Sequence, residues 1–270
     1  MVRRAIDESF YEHFQVVPAY TEALRDIAYR IRYHVYCEEF GFEDRNNFPD
    51  GREIDAFDRH AEHCLLLHRA SNRYVGCVRL VSPDPQNRQP SLPFETTCVG
   101  LDAGVVRRVQ KSRGGFGEIS RLALLPIIRQ PKCNGSANGV KWDFEVKNEP
   151  RLLSLRDVDF GPECTHIISS SRQYLRHISL GLYLAGSAML LKSGLRGVFA
   201  IMEPRLARRL RQYGIFFRQV GNMINYRGLR APFEITTKSL ISQLHPEPRR
   251  LLDSLLDDLQ RSNPLEIAVS

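Results

Sequence analysis

The chain has 270 residues, 43% of them hydrophobic and 26% charged, with a formal net charge of +7. Those proportions belong to a globular protein with a sizeable core and exclude a disordered or fibrous chain; the positive balance favours an acidic partner without choosing among nucleic acid, an anionic membrane and an acidic protein. No uncharged run reaches the about 18 residues that a bilayer crossing needs, the longest being Ile178–Leu191, and no basic start leads into an apolar run and a small-residue cleavage site near Met1, so the expectation is a cytosolic protein without a membrane span.

In chain order, Phe14–Pro18 reads as a short first strand, and Leu24, Ile27, Ala28, Ile31 and Val35 give Glu22–Phe40 helical spacing that ends at Gly41. An acidic loop, 43–59, leads to His63–His68 and Tyr74–Val81, a hairpin turned at Ala70-Ser71-Asn72-Arg73. Ser82–Pro93 is a proline-rich loop, and Gly114–Gly117 is a flexible connection into a strand from Glu118 to Leu125, stopped by Pro126. The polar stretch 127–165 reads as an insertion. Beyond it the order is a helix over 170–192, a strand Gly197–Met202, a helix Glu203–Tyr213, a strand Phe216–Val220 and an amphipathic helix Pro246–Arg261. That is a βαβ pattern feeding a mixed sheet, an α/β fold in one domain over 1–265.

The six cysteines (Cys37, Cys64, Cys77, Cys98, Cys133, Cys164) lack CxxC pairing and read as reduced thiols. His60, His63 and His68 stand near Cys64, but strand alternation turns His63 and Cys64 to opposite faces, so no metal site is expected. No Ser or Cys sits in a nucleophile elbow or a Cys/His signature, which points to direct transfer rather than a covalent intermediate.

One ordered constellation carries the chemistry: Arg32-x-x-x-Tyr36 with Phe42; Glu53-x-Asp55-x-x-Asp58; Gly76-Cys77-Val78-Arg79; Phe94; and Glu118-x-Ser120-Arg121. Three arginines and several carboxylates recur at strand and helix ends, where a buried charge needs a partner, so these side chains are expected to meet. Either they form a structural network, with Glu118 paired to Arg79 or Arg121, or they are functional groups.

The set, in its order and near its spacing, resembles the acyl-homoserine-lactone synthases and their relatives, the N-acyl amino acid synthases and the acyltransferases of exosortase (PEP-CTERM) sorting systems. The resemblance covers about 14–121, and 197–235 is similar to the second half of such proteins. It departs at Tyr36 and Phe42, where lactone synthases usually carry Phe and Trp, and at Gly117, where they carry Trp; the stretch 127–165 has no counterpart in them. These departures favour the amino-acid or exosortase-associated branch over lactone formation from S-adenosylmethionine.

The resemblance implies a GNAT-like mixed sheet flanked by helices on both faces, with Glu118–Leu125 and Gly197–Met202 as a splayed parallel pair that holds a pantetheine arm. It implies a fatty acyl transfer to a small amine or amino acid from acyl carrier protein or coenzyme A, with no tightly bound cofactor. Glu118 is then the base, with Ser120 and Arg121 as catalytic neighbours. Arg32, Tyr36, Phe42, Asp55, Asp58, Arg79 and Phe94 would bind the acceptor, and Leu122 and Leu124 the donor. Arg176-x-x-Ser179-x-Gly181 reads either as a degenerate pyrophosphate loop at a helix start or as plain helix. Leu182, Leu184, Met189 and Leu190 are either acyl-tunnel or core residues. Arg205, Arg208, Arg209, Arg211 and Arg218 form a basic face that suits an acidic carrier protein or simply faces water. The competing classes are a nucleic-acid-binding regulator, for which no recognition motif is present, and an acyl-binding module without turnover.

Overall fold

The structure, a computed structural model, describes residues 5–83, 92–111, 115–126 and 172–262, with the side chains of 110 and 172–177 excepted. The stretch read as an insertion lies outside the described residues. Helix α1 (Ile6–His13) precedes β1 (Phe14–Pro18) and α2 (Glu22–Tyr33), which continues as a π-helical turn over His34–Glu39. Strands β2 (Ala61–His68) and β3 (Arg73–Val81) form the expected hairpin, turned through Asn72 at φ 51°. Two short helices that the sequence pattern did not suggest follow, α3 (Pro93–Thr97) and α4 (Ala103–Lys111). Then come β4 (Phe116–Leu124), α5 (Arg172–Lys192), β5 (Gly197–Met202), α6 (Pro204–Arg211), β6 (Arg218–Gln219), β7 (Ile224–Asn225), β8 (Leu229–Thr236), α7 (Thr237–Gln243) and α8 (Pro246–Arg261).

The strands assemble in the order β1-β2-β3-β4-β5-β8-β6, with β7 paired to β8. The pairs are antiparallel except β4 and β5, which the crossover through α5 makes parallel. The strand expected over 216–220 is only two residues long, while β8, which it flanks, was not anticipated. Gly117 belongs to β4 rather than to the connection before it. A Cβ there would come within 2.8 Å of the Val81 carbonyl oxygen and 2.9 Å of Leu195, so this close strand contact leaves no room for a side chain, let alone an indole.

Burial follows the two periodicities. One face of the sheet packs against α1, α5 and α8 through Phe10, Leu182, Leu184, Met189, Leu251 and Leu255; these α5 residues are core. The opposite face packs on α2 through Ile27, Ile31 and Val35, and beside it α3 and α4 cover Phe199 and Val220 through Phe94 and Val105. Phe94 and Phe199 stack at 4.2 Å. Helices therefore flank both faces of a mixed α/β sheet. No helix among the described residues is long and apolar enough to cross a membrane.

Candidate active site

Strands β4 and β5 stay paired for only three steps, Phe116 to Gly197, Gly117 to Val198 and Glu118 to Phe199. Beyond that they diverge, and β4 continues to Leu124 without a partner on its β5 side. A cavity of about 560 Å3 opens there, lined by Glu118–Leu124, by Tyr36 and Phe42, by Ser179, Tyr183 and Ser187 of α5, and by residues of β5, α6 and β8.

Arg121 explains how β4 serves this cavity and the loop behind it. Its φ is 51°, left-handed for a residue with a side chain, and the pairing of β3 with β4 shifts register opposite it. Such a bulge breaks the alternation of faces. Consecutive residues therefore reach the same group of charges: Ser120 Oγ accepts a bond from Arg79 Nε at 3.1 Å, and Arg121 donates to Glu53 at 2.9 Å and Asp55 at 2.9 Å. Leu122 then returns to the α5 face, and its carbonyl accepts a 3.1 Å bond from the Tyr36 hydroxyl. The π-helical turn delivers Tyr36 to that bond.

The expected convergence of charges is present. Arg32 donates to Glu53 at 2.5 Å and to both Asp58 oxygens at 2.7 and 3.0 Å; Arg79 donates to Asp55 at 2.7 Å and Asp58 at 2.8 Å. Three guanidinium groups thus meet three carboxylates. Burial alone would raise the Asp58 carboxyl, but Arg32 and Arg79 outweigh it and hold it well below the usual carboxylate range. Arg32, Asp55, Asp58 and Arg79 do not line the cavity; they tie the loop carrying Glu53–Asp58 to α2, β3 and β4. His63, 3.5 Å from Asp58, is pushed down to about 3, first by burial and then by Arg32, and stays neutral. No cluster of His, Cys, Asp and Glu fit for a metal occurs among the described residues.

Glu118 is the exception to this pairing. Its side chain faces the cavity at the point where the strands part, is 2% exposed, and forms no ion pair with Arg79 or Arg121. Its carboxylate accepts a 2.6 Å bond from the Phe94 backbone N–H. Burial pushes it up to about 8, against the opposing pull of that bond and of the two arginines. A carboxyl tuned to that range exchanges protons near neutrality, which suits a general base.

The donor residues fare unevenly. Leu122, Leu124 and Ser179 line the cavity. The Arg176 side chain lies outside the described residues. Gly181 faces away from the cavity, where a Cβ would overlap the Phe10 ring, so its lack of a side chain serves helix packing. Ser179 and Gly181 lie inside α5, which begins by Arg172, and their amides are spent in the helix's own ladder; the reading of this segment as a phosphate loop at a helix start is corrected accordingly. On the basic helix Arg205 and Arg209 line the cavity, whereas Arg218 shares Glu234 with Arg108.

Sequence reading did not single out Tyr183, Arg227 and Arg230, which line the cavity. Tyr183 comes from the middle of α5, between the core residues Leu182 and Leu184. Arg227 lies 5.2 Å from the Tyr36 ring and 4.7 Å from Tyr226, and pairs with Glu43; Arg230 lies 5.8 Å from the Phe42 ring. The last two stand in and after a tight hairpin with Arg227 at φ 52° and Gly228 at φ 97°, whose -Arg-Gly- step was the available signal.

Residues 31–134 match the family model of the acetyltransferase (GNAT) domain. A search among curated proteins found no match. Among solved structures the fold is similar to that of FeeM, an N-acyl amino acid synthase from uncultured soil microbes, at 13% identity and a TM-score of 0.50, over 86% of this chain and 94% of that one. The acyl-homoserine-lactone synthase LasI aligns at 13% identity and 0.49, over 86% and 94%, and the CoA-dependent acyl-homoserine lactone synthase BjaI at 19% and 0.48, over 92% and 90%.

Proposed function

We propose that the chain is an N-acyltransferase that moves a fatty acyl group from a carrier thioester to the amine of a small molecule, an amino acid in the first instance, by direct attack. The observation that carries this reading is Glu118, a buried carboxyl tuned to about 8 at the fork between β4 and β5. Attack on a thioester needs a neutral amine, donors for the developing oxyanion and a sink for the amine proton. Glu118 takes that proton, directly or through one water. The backbone groups of β4 that β5 no longer pairs offer donors for the carbonyl oxygen. The acyl chain lies against Leu206, Ile215, Phe217, Ile235 and Leu240, the apolar part of the cavity wall.

In this reading the Arg32–Arg79–Arg121 network positions rather than reacts: it fixes the bulge at Arg121 and with it the course of β4 past Glu118. Tyr36 borders the acceptor; Phe42, expected beside it, lies under Arg230 farther along the cleft, and Phe94, expected there too, stacks on Phe199 and meets the site through its backbone N–H to Glu118. One domain over 1–265 carries the activity. Arg208 and Arg211, on the exposed side of α6, suit the acidic surface of an acyl carrier protein. The departures at Tyr36, Phe42 and Gly117 favour the amino-acid or exosortase-associated branch over lactone synthesis.

The test is to incubate the purified chain with acyl carrier protein or coenzyme A loaded with several acyl lengths and a pool of amino acids, and to read products by mass. An acylated amino acid that disappears with Glu118→Gln supports the reading. Methylthioadenosine released from S-adenosylmethionine would assign the chain to lactone synthesis instead, and carrier binding without product would make it a non-catalytic module.

A further inference from the structure

Three cavity arginines have no carboxylate partner among the described residues. Arg205 and Arg209, one turn apart and exposed on α6, and Arg230, in β8, line the cavity, and their side chains make no ion pair or hydrogen bond among the described residues. Arg230 rests on the Phe42 ring with its Nε buried and unbonded. The unbonded Arg230 Nε is a buried donor without an acceptor, which is costly, and the exposed Arg205 and Arg209 beside it add like charge that no carboxylate of the described residues offsets. The guanidinium groups of the β4 side cannot substitute for it, because Glu53, Asp55 and Asp58 already engage them.

Register locates the cluster along the cleft. Glu118 pairs with Phe199 at the fork, whereas Met202, where β5 ends, pairs with Ala231. Arg230 is one step further, about 13 Å from the fork at the usual strand rise. An amino acid whose nitrogen sits at Glu118 does not span that length with its carboxylate. A long extended arm whose thioester lies at the fork does. Guanidinium forks match phosphate oxygens in geometry and charge.

We propose that Arg205, Arg209 and Arg230 form the subsite for the phosphate of the donor's phosphopantetheine arm. The inference rests on the N-acyltransferase reading for the identity of the arm, and it assigns to the β5 wall a task that one of the two readings of the Arg176–Gly181 segment gave to that segment.

Calorimetric titration of the full chain with 4′-phosphopantetheine and with pantetheine tests it. The phosphorylated arm is expected to bind at least about tenfold tighter, and Arg230→Gln and Arg209→Gln are each expected to reduce that ratio several-fold. Arg209 is exposed, so its variant keeps the test alive if Arg230→Gln does not fold. Parallel titrations with coenzyme A and with holo acyl carrier protein identify the carrier that presents the phosphate. Equal binding of the two arms, or a ratio that neither variant changes, overturns the proposal. Acyl transfer from an N-acetylcysteamine thioester, which lacks phosphate, is measured alongside. Its absence together with that of every other donor would sink the acyltransferase reading, while the binding ratio still decides the phosphate subsite.

Discussion

The two walls of the cleft handle the same residue type in opposite ways. Behind β4, Arg32, Arg79 and Arg121 are interlocked with Glu53, Asp55 and Asp58, and each guanidinium touches two carboxylates. On the β5 side Arg205, Arg209 and Arg230 stand without any among the described residues, and farther out Arg108 and Arg218 both reach the carboxylate of Glu234. Matched charge fixes geometry, because a buried ion is tolerated only where partners hold it. Unmatched charge around a cavity leaves a place for a ligand. The contrast separates a wall built to hold β4 in its bulged course from a wall built to receive something.

Glu118 sits where the walls meet, and changing it should have the largest effect. Glu118→Gln removes the proton acceptor at nearly constant shape, and kcat is expected to fall by about 10^2 to 10^4, the usual worth of general-base catalysis. The wild-type rate should rise with pH and level off above about 8, where the carboxyl is ionised. Stability should move the other way. Burial raises this group from 4.5 to about 8 in the folded chain, so between those values the folded state keeps a proton that the unfolded chain has released, and stability declines as pH rises through the window. Glu118→Gln should flatten that decline in a series of Tm measurements across pH 5–9. A variant that keeps full activity would remove Glu118 from the chemistry.

The matched wall is tested next. Asp58→Asn removes the carboxylate that both Arg32 and Arg79 engage, leaving buried charge uncompensated, and is expected to cost about 3–5 kcal/mol in denaturant unfolding. In the wild type Asp58 is held below its ordinary value of 3.8, so its contribution is present above that pH and is lost as pH falls below it. The acid limb of the stability curve should therefore be shallower in Asp58→Asn. A loss under 1 kcal/mol would show that the interlocked charges are not what secures this wall.

How much of this was legible in the sequence differs between the walls for the same reason. The matched side is dense with chemistry in short segments, so Arg32, Asp58, Arg79 and Arg121 could be expected to meet, and periodicity gave β1, β2, β3 and α8 nearly to the residue. The parting of β4 from β5 was implied by resemblance, and the bare backbone of a strand carries no residue signature of what it fails to pair with. The bulge at Arg121 was hidden because it takes a left-handed backbone at an arginine, where no glycine advertises it. Arg230 and Tyr183 were missed because one follows a two-residue turn and the other belongs to a helix whose remaining faces are core. Gly181 was open to two readings, phosphate loop or plain helix, and the structure favours the second: the glycine permits close approach of Phe10.

That correction has its own consequence, smaller than the previous two. Gly181→Ala would push a methyl group into the Phe10 ring and is expected to cost about 1–3 kcal/mol, the range for overpacking in a well-filled core. Unfolding of the variant measures it, and a neutral result would mean that α1 yields at this point.

The smallest effect is the sharpest probe of the contrast between the walls. Arg209→Gln removes a charge from a side chain that is exposed and has no partner in the chain, so nothing in the folded state depends on it; its unfolding free energy should stay within about 0.5 kcal/mol of wild type, as for surface positions generally. Arg32→Gln makes the same chemical change on the matched wall, where two buried carboxylates would each lose one of their two arginines, and should resemble Asp58→Asn instead. The pair isolates partnership from residue type, since both variants delete one guanidinium and differ in what surrounded it. If Arg209→Gln destabilised the fold as Arg32→Gln does, the β5 wall would be holding structure with its arginines, and its positive charge would no longer point to a ligand.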